Sequence, residues 1–126
     1  MPARLRLAPA VEVAAALDRV AATPPDERPD RADLKLLVKH FLAVLETRAP
    51  GRSVEVRVPP YAAVQVVPGV RHARGTPPAV VETDALTFIA LATGELTFDD
   101  ARADGRLTAS GERTDLSPYL PLVDSP

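Results

Sequence analysis

Fourteen of the 126 residues are proline, and this narrows the possible folds more than any other feature of the chain. A proline has no backbone N–H to donate, fixes φ, and breaks a helix interior at a cost of about 3 kcal/mol. The prolines cut the chain into short elements and argue against a helical bundle. Between them the hydrophobic period changes, helical in some stretches and strand-like in others, which points to an α+β domain.

The first helical pattern covers 9–22. Pro9 suits a first turn, and Val13, Leu17 and Val20 fall at i, i+4 and i+7 on one face. A polar, proline-broken connector follows, from Thr23 to Asp30. The strongest helix runs from about 31 to 48. Its stripe is Leu34, Leu37, Val38, Phe41, Leu42 and Leu45, with Lys35, Lys39, Glu46 and Arg48 opposite. Either Asp30 or Asp33 can cap it, and Pro50-Gly51 ends it.

From Ser53 the period becomes two. Val54, Val56 and Val58 alternate with Glu55 and Arg57, as in a strand with one wet face. Pro59-Pro60 stops that strand; 61–67 reads as a second, and Pro68-Gly69 as a turn. Residues 70–78 are polar and basic, part strand and part loop, before β character returns from Ala79 to Thr83. Asp84 caps a helix over about 85–93 that Gly94 closes. Thr97 starts a shorter one, with Asp99 and Asp100 in its first turn where the helix dipole favours acids. Gly105 ends it, Arg106 to Ser110 reads as a strand, and 112–122 as a final short helix limited by Pro118 and Pro121.

The bulk numbers exclude several functions. The chain is long enough to fold as one domain, 1–126, without metal or disulfide. Its core is expected at about 30–122, with 1–29 an N-terminal helix and connector. There is no cysteine, hence no thiolate chemistry. Fifteen basic and 17 acidic side chains give a net charge of -2, too balanced to favour nucleic acid as principal partner. Pro9 and Glu12 interrupt any leader-like apolar run, and no stretch approaches the roughly 18 apolar residues of a membrane span, so a cytoplasmic location without stable membrane insertion is expected. Five aromatic residues among many Ala and Val suit a domain that keeps an internal void; a compositional bias toward Ala, Arg and Pro accounts for the same numbers.

The C-terminal third carries a family likeness. A helix ending in Ala92-Thr93-Gly94-Glu95-Leu96, a short helix ending in Asp104-Gly105, and a strand Arg106-Leu107-Thr108-Ala109-Ser110-Gly111 before an apolar segment resemble the C-terminal half of sterol carrier proteins. The helix and hairpin from Asp30 to Val67 fit the opening of that fold. The chain as a whole, including Arg74-Gly75-Thr76-Pro77-Pro78 and Val80-Val81-Glu82-Thr83-Asp84, is similar to the small stand-alone bacterial branch found in actinobacteria. The resemblance implies a mixed, mostly antiparallel five-stranded sheet with helices packed on one face. It further implies an apolar tunnel for fatty acyl chains, acyl-CoA or sterols. Phe88, Ile89 and Leu91 would then form one wall, and Leu116, Tyr119, Leu120 and Leu122 the closing segment. No peroxisomal address ends the chain.

Catalytic signatures are missing from the sequence. His40 and His72 have no metal-ligand spacing, and a metal site needs three convergent donors. His40 reads as a polar residue at the rim of its helix's stripe. Ser53, Ser110, Ser117 and Ser125 lack a nucleophile elbow, and there is no Gly-rich phosphate loop. One polar constellation stands out, Arg71-His72-Ala73-Arg74-Gly75-Thr76. Arg71 and Arg74 either clamp a carboxylate or phosphate head group or pair with acids and water on an exposed hairpin. The expectation is a non-catalytic binding or carrier protein for an apolar, lipid or acyl-bearing ligand, without cofactor or metal, as a monomer or weak homodimer. The alternative is a protein–protein interaction or enzyme-accessory module with no small-molecule ligand.

Overall fold

The computed structural model describes residues 5–69, 79–111 and 113–123. In chain order they form helices α1 (Ala10–Ala22) and α2 (Arg31–Arg48), then strands β1 (Val54–Val58), β2 (Ala62–Val66) and β3 (Ala79–Thr83). Helices α3 (Ala85–Thr93) and α4 (Phe98–Ala103), strand β4 (Leu107–Ser110) and a 3-10 turn, Ser117–Tyr119, complete them.

The four described strands make a mixed sheet in the order β2-β1-β3-β4. The outer pairs are antiparallel and the central β1–β3 pair is parallel. The fifth strand expected from the sequence falls within 70–78, outside the described residues. Alternation decides the faces: Val54, Val56, Val58, Val64, Val66, Ala79, Val81 and Leu107 are buried. Arg57, Ala63, Gln65, Glu82 and Thr108 face away and are exposed. The helices pack on the buried side, so this is an α+β fold with one covered sheet face.

Helix α2 is the centre of that packing. All six stripe residues predicted from its periodicity are buried, from Leu34 at 9% exposure to Leu37, Val38, Leu42 and Leu45 at 0%. Each such side chain contributes about 1.5–3 kcal/mol relative to exposure, so burial alone fixes where this helix lies. Asp30 rather than Asp33 is its cap, its carboxylate accepting the Ala32 N–H at 2.8 Å. Asp33 does a different job. It sits buried in the first turn and receives both arms of Arg19 from the end of α1, Nε to Oδ2 at 3.0 Å and Nη2 to Oδ1 at 2.9 Å.

The turn into β1 is locked by backbone. The Val67 N–H reaches Ala49 O at 2.7 Å, and Ser53 N–H returns to Val67 O at 3.1 Å. Gly51 lies so close that a Cβ there would collide with the Val67 carbonyl. Val67 itself takes φ 71, an unfavourable left-handed conformation for a β-branched residue, held by those two bonds.

One expectation is corrected. Of the segment 112–122 expected as a helix, residues 113–122 do not form one; only Ser117–Tyr119 turns, as a single 3-10 turn with Pro118 inside its first positions. Pro121 forces Leu120 to extended backbone, ψ 150, and has no N–H to continue a ladder. The Asp115 carboxylate takes the Ser117 N–H instead. The rest of the tail is irregular and is tied to α3, with Leu122 N–H and Val123 N–H both donating to Ala92 O at 2.8 and 3.2 Å.

The Arg19 hydrogen bond, ahead of an opposing desolvation effect, holds the Asp33 carboxyl below its ordinary value of 3.8. A depressed carboxylate stabilises the fold above the unfolded value and loses that contribution as pH falls through the folded one. The melting-temperature gap between the wild type and Asp33→Asn should therefore be constant near neutrality and close as pH drops below about 4. Thermal denaturation across that range checks it; a gap that persists to about pH 2 would show that the pair does not set it.

Candidate functional site

Three segments far apart in sequence meet over the outer side of α2. From α2 come His40, Phe41, Val44, Thr47 and Arg48; α1 adds Val13, residues 5–9 add Leu7, and the tail adds Leu122 and Val123. Together they enclose an open groove of about 520 Å³. Six of its nine lining residues are apolar; the other three are His40, Thr47 and Arg48.

Each polar group at this groove is engaged. His40 is half-buried, and its Nδ1 accepts the Ala8 N–H at 3.0 Å. Its ring stands edge-on to Phe41, with centroids 5.1 Å apart at 71°. Burial pushes the His40 imidazole below its ordinary value of 6.5, so it is neutral at physiological pH. Thr47 donates its hydroxyl to Ala43 O at 3.0 Å. Arg48, in the last turn of α2, donates to Pro121 O at 2.7 Å and pins the tail across the helix end.

A second depression, about 300 Å³, lies at the end of the sheet among Pro59, Glu82, Thr83, Asp84, Arg106 and Thr108. Its Asp84 carboxylate is committed to capping α3 through Thr87 N–H at 2.8 Å and the Thr87 hydroxyl at 2.9 Å. The Thr83 hydroxyl donates to Arg106 O at 2.8 Å. This depression gathers structural bonds rather than convergent free groups. Among the described residues no cluster of three His, Asp or Glu is placed to hold a metal, and no helix is long and apolar enough to cross a membrane.

Of the seven residues expected to wall or close a ligand space, only Leu122 lines the groove. Phe88, Ile89, Leu91 and Leu116 are buried in the common core, and Tyr119 and Leu120 pack against it half-buried. The tail reaches α3 through Leu122, whose N–H donates to Ala92 O, without forming a helix. Arg71 and Arg74 lie outside the described residues.

Sequence reasoning placed His40 at the edge of the α2 stripe, where the structure has it, but put Arg48 on the opposite, solvated face. His40, Val44 and Arg48 stand at i, i+4 and i+8, a row along one helix edge, and that spacing was the available signal. Leu122 was expected in the closing segment from the family resemblance, and it lines this groove; Leu7 and Val123 carried no signal, because their roles depend on contacts more than 30 residues away in sequence.

A family model described as bacterial SCP ortholog, SCP denoting sterol carrier protein, matches residues 30–122. That span runs from the α2 cap to the buried Leu122 of the tail. No curated protein matches the chain.

Arg48→Ala should loosen the tail without unfolding the core. Loss of one charge-assisted bond, about 1.5–3 kcal/mol at most and less where exposed, predicts roughly 5- to 10-fold faster amide exchange at Leu122 and Val123. Unchanged exchange at both would mean that the Ala92 bonds hold the tail alone.

Proposed function

Because the chain belongs to the family of bacterial sterol carrier protein orthologues, we propose that it is a non-catalytic carrier of an apolar, lipid or acyl-bearing ligand. The observation that carries this reading is the apolar groove between α2, residues 5–9 and the tail, with a cation at one end. An acyl chain in such a groove would be stabilised by about 0.8 kcal/mol per buried methylene, so binding needs shape and apolar wall rather than a chemical motif. Phe88, Ile89, Leu91, Leu116, Tyr119 and Leu120 would receive the ligand's far end where the tail lifts from α3. Arg71 and Arg74 would hold an anionic head group.

A second reading is favoured by a specific observation, the filled interior. Core side chains from both layers are at most 9% exposed, as in a domain whose inner space is occupied by its own residues. On that reading the chain is a protein–protein interaction or enzyme-accessory module.

Native mass spectrometry of gently purified protein, followed by lipid extraction, separates the two. The carrier reading expects stoichiometric co-purified lipid or uptake of palmitate, with Val44→Glu blocking it at the groove. A clean protein mass that refuses palmitate, palmitoyl-CoA and cholesterol would move the assignment to the interaction module.

The head-group assignment has its own test. Replacing Arg71 and Arg74 together with Ala should weaken palmitate binding about tenfold or more, the scale of one lost charge-assisted bond. Hexadecanol, which has the same chain and no charge, should be little affected. Equal losses for the two probes would remove both arginines from the site.

A further inference from the structure

Residues 5–9 run without regular structure ahead of α1. Leu5 and Ala8 pack on the core, while Leu7 is 59% exposed and still forms part of the groove wall. The Ala8 N–H donates to His40 Nδ1, in the middle of α2 and 32 residues away, at 3.0 Å. That bond exists in only one protonation state. Nδ1 accepts when its lone pair is free, which puts the proton of neutral imidazole on Nε2. In the imidazolium both nitrogens carry protons, and the contact becomes two opposed N–H groups.

We propose that residues 5–9 are a proton-operated strap: the Ala8–His40 bond latches them over the groove, and protonation of His40 releases them together with the Leu7 wall. The consequence, a weaker hold on an apolar ligand at mildly acidic pH, rests on the carrier reading; the latch itself does not.

The surroundings of His40 set the direction. From its own helix, Arg48 lines the same groove and offers a like charge, and Lys39 is its chain neighbour. Residues 5–9 bring Leu7 and Ala8, with Arg6 alongside; α1 brings Val13, preceded by Glu12; the tail brings Leu122 and Val123. Among the described residues no carboxylate lines the groove to hold an imidazolium. Burial accordingly keeps the latched ring below 6.5, and opening the strap would return it to water and to its ordinary value. The strapped state is therefore fully favoured above pH 6.5. Its opening constant rises up to about tenfold per pH unit as pH falls from there toward the latched ring's lower value.

The test uses the ligand-free chain. Ring nitrogen shifts of His40 and amide exchange at Ala8, corrected for intrinsic chemistry, are followed by NMR from about pH 8 to 5. The expected result is an Nε2–H tautomer that titrates below 6.5, with the tenfold-per-unit rise in Ala8 opening. In His40→Gln, whose side-chain oxygen accepts the same bond without titrating, the slope should vanish. Loss of the slope with Ala8 open at every pH supports the latch equally. A proton on Nδ1, titration at or above 6.5, a flat Ala8 profile in the wild type, or a slope that survives in His40→Gln would overturn it. Palmitate binding over the same range keeps the two ideas apart. No binding at any pH defeats the carrier reading and leaves the latch standing. Binding that ignores pH while Ala8 opens would detach the strap from the site.

Discussion

The buried stripe of α2 is the contact on which the other elements depend. It lies against the covered face of a sheet whose strands alternate, so Val54, Val56 and Val58 join the same buried core while Arg57 stays in water. Helix α1 reaches it through the Arg19–Asp33 fork, and α3 joins the same core through Phe88, Ile89 and Leu91. Even the two irregular ends of the described chain are anchored on α2, one at His40 and the other at Arg48. Burial of six large side chains at about 1.5–3 kcal/mol each is far larger than any one of these polar ties. The stripe sets position, and the ties set the order in which the periphery is allowed to move.

That hierarchy explains why the groove forms where it does. The inner side of α2 is consumed by the sheet, and its far side is solvated by Lys35, Lys39 and Glu46. Between them runs a helix edge that neither layer covers, carrying His40, Val44 and Arg48. The chain covers this edge with its own irregular ends rather than with a regular element. Irregular backbone there must find hydrogen-bond partners, and it finds them in a histidine ring, an arginine-bonded carbonyl and the carbonyl of Ala92. These are few bonds per residue compared with a helix, so the covering is held less firmly than the helices and sheet it rests on.

The regular elements were legible from the sequence because each rests on local signals. Two helices begin at aspartate caps that bond as expected, Asp30 to Ala32 and Asp84 to Thr87, and Gly94 closes α3 in the left-handed conformation, φ 86. The strands showed in the alternation of valine with charge. The final segment misled for an equally local reason. Leu116, Tyr119 and Leu120 have helical spacing, but Pro118 and Pro121 remove the donors that a helix needs, and tertiary burial of Leu116 and Leu122 accounts for the apolar pattern instead. The groove was beyond sequence reasoning for the most part, since it joins Leu7, Val44 and Leu122, which no periodicity relates.

The filled interior and the carrier reading are compatible if the ligand displaces the covering rather than the core. Lifting the tail would give up the Arg48–Pro121 bond and the two amide bonds to Ala92, each worth about 0.5–1.5 kcal/mol net and somewhat more for the charged one. It would also expose Leu116 and Leu122, at about 1.5–3 kcal/mol each. The sum is of order 5–10 kcal/mol, which some six to twelve buried methylenes at about 0.8 kcal/mol would offset. A long acyl chain reaches that range, and a short one does not. Displacing the α2 stripe would require several times as much. On the carrier proposal, a ligand would therefore enter by way of the tail. Chain length would then be the property by which such a ligand is selected, because each added methylene would offset part of a fixed opening cost until the groove is full.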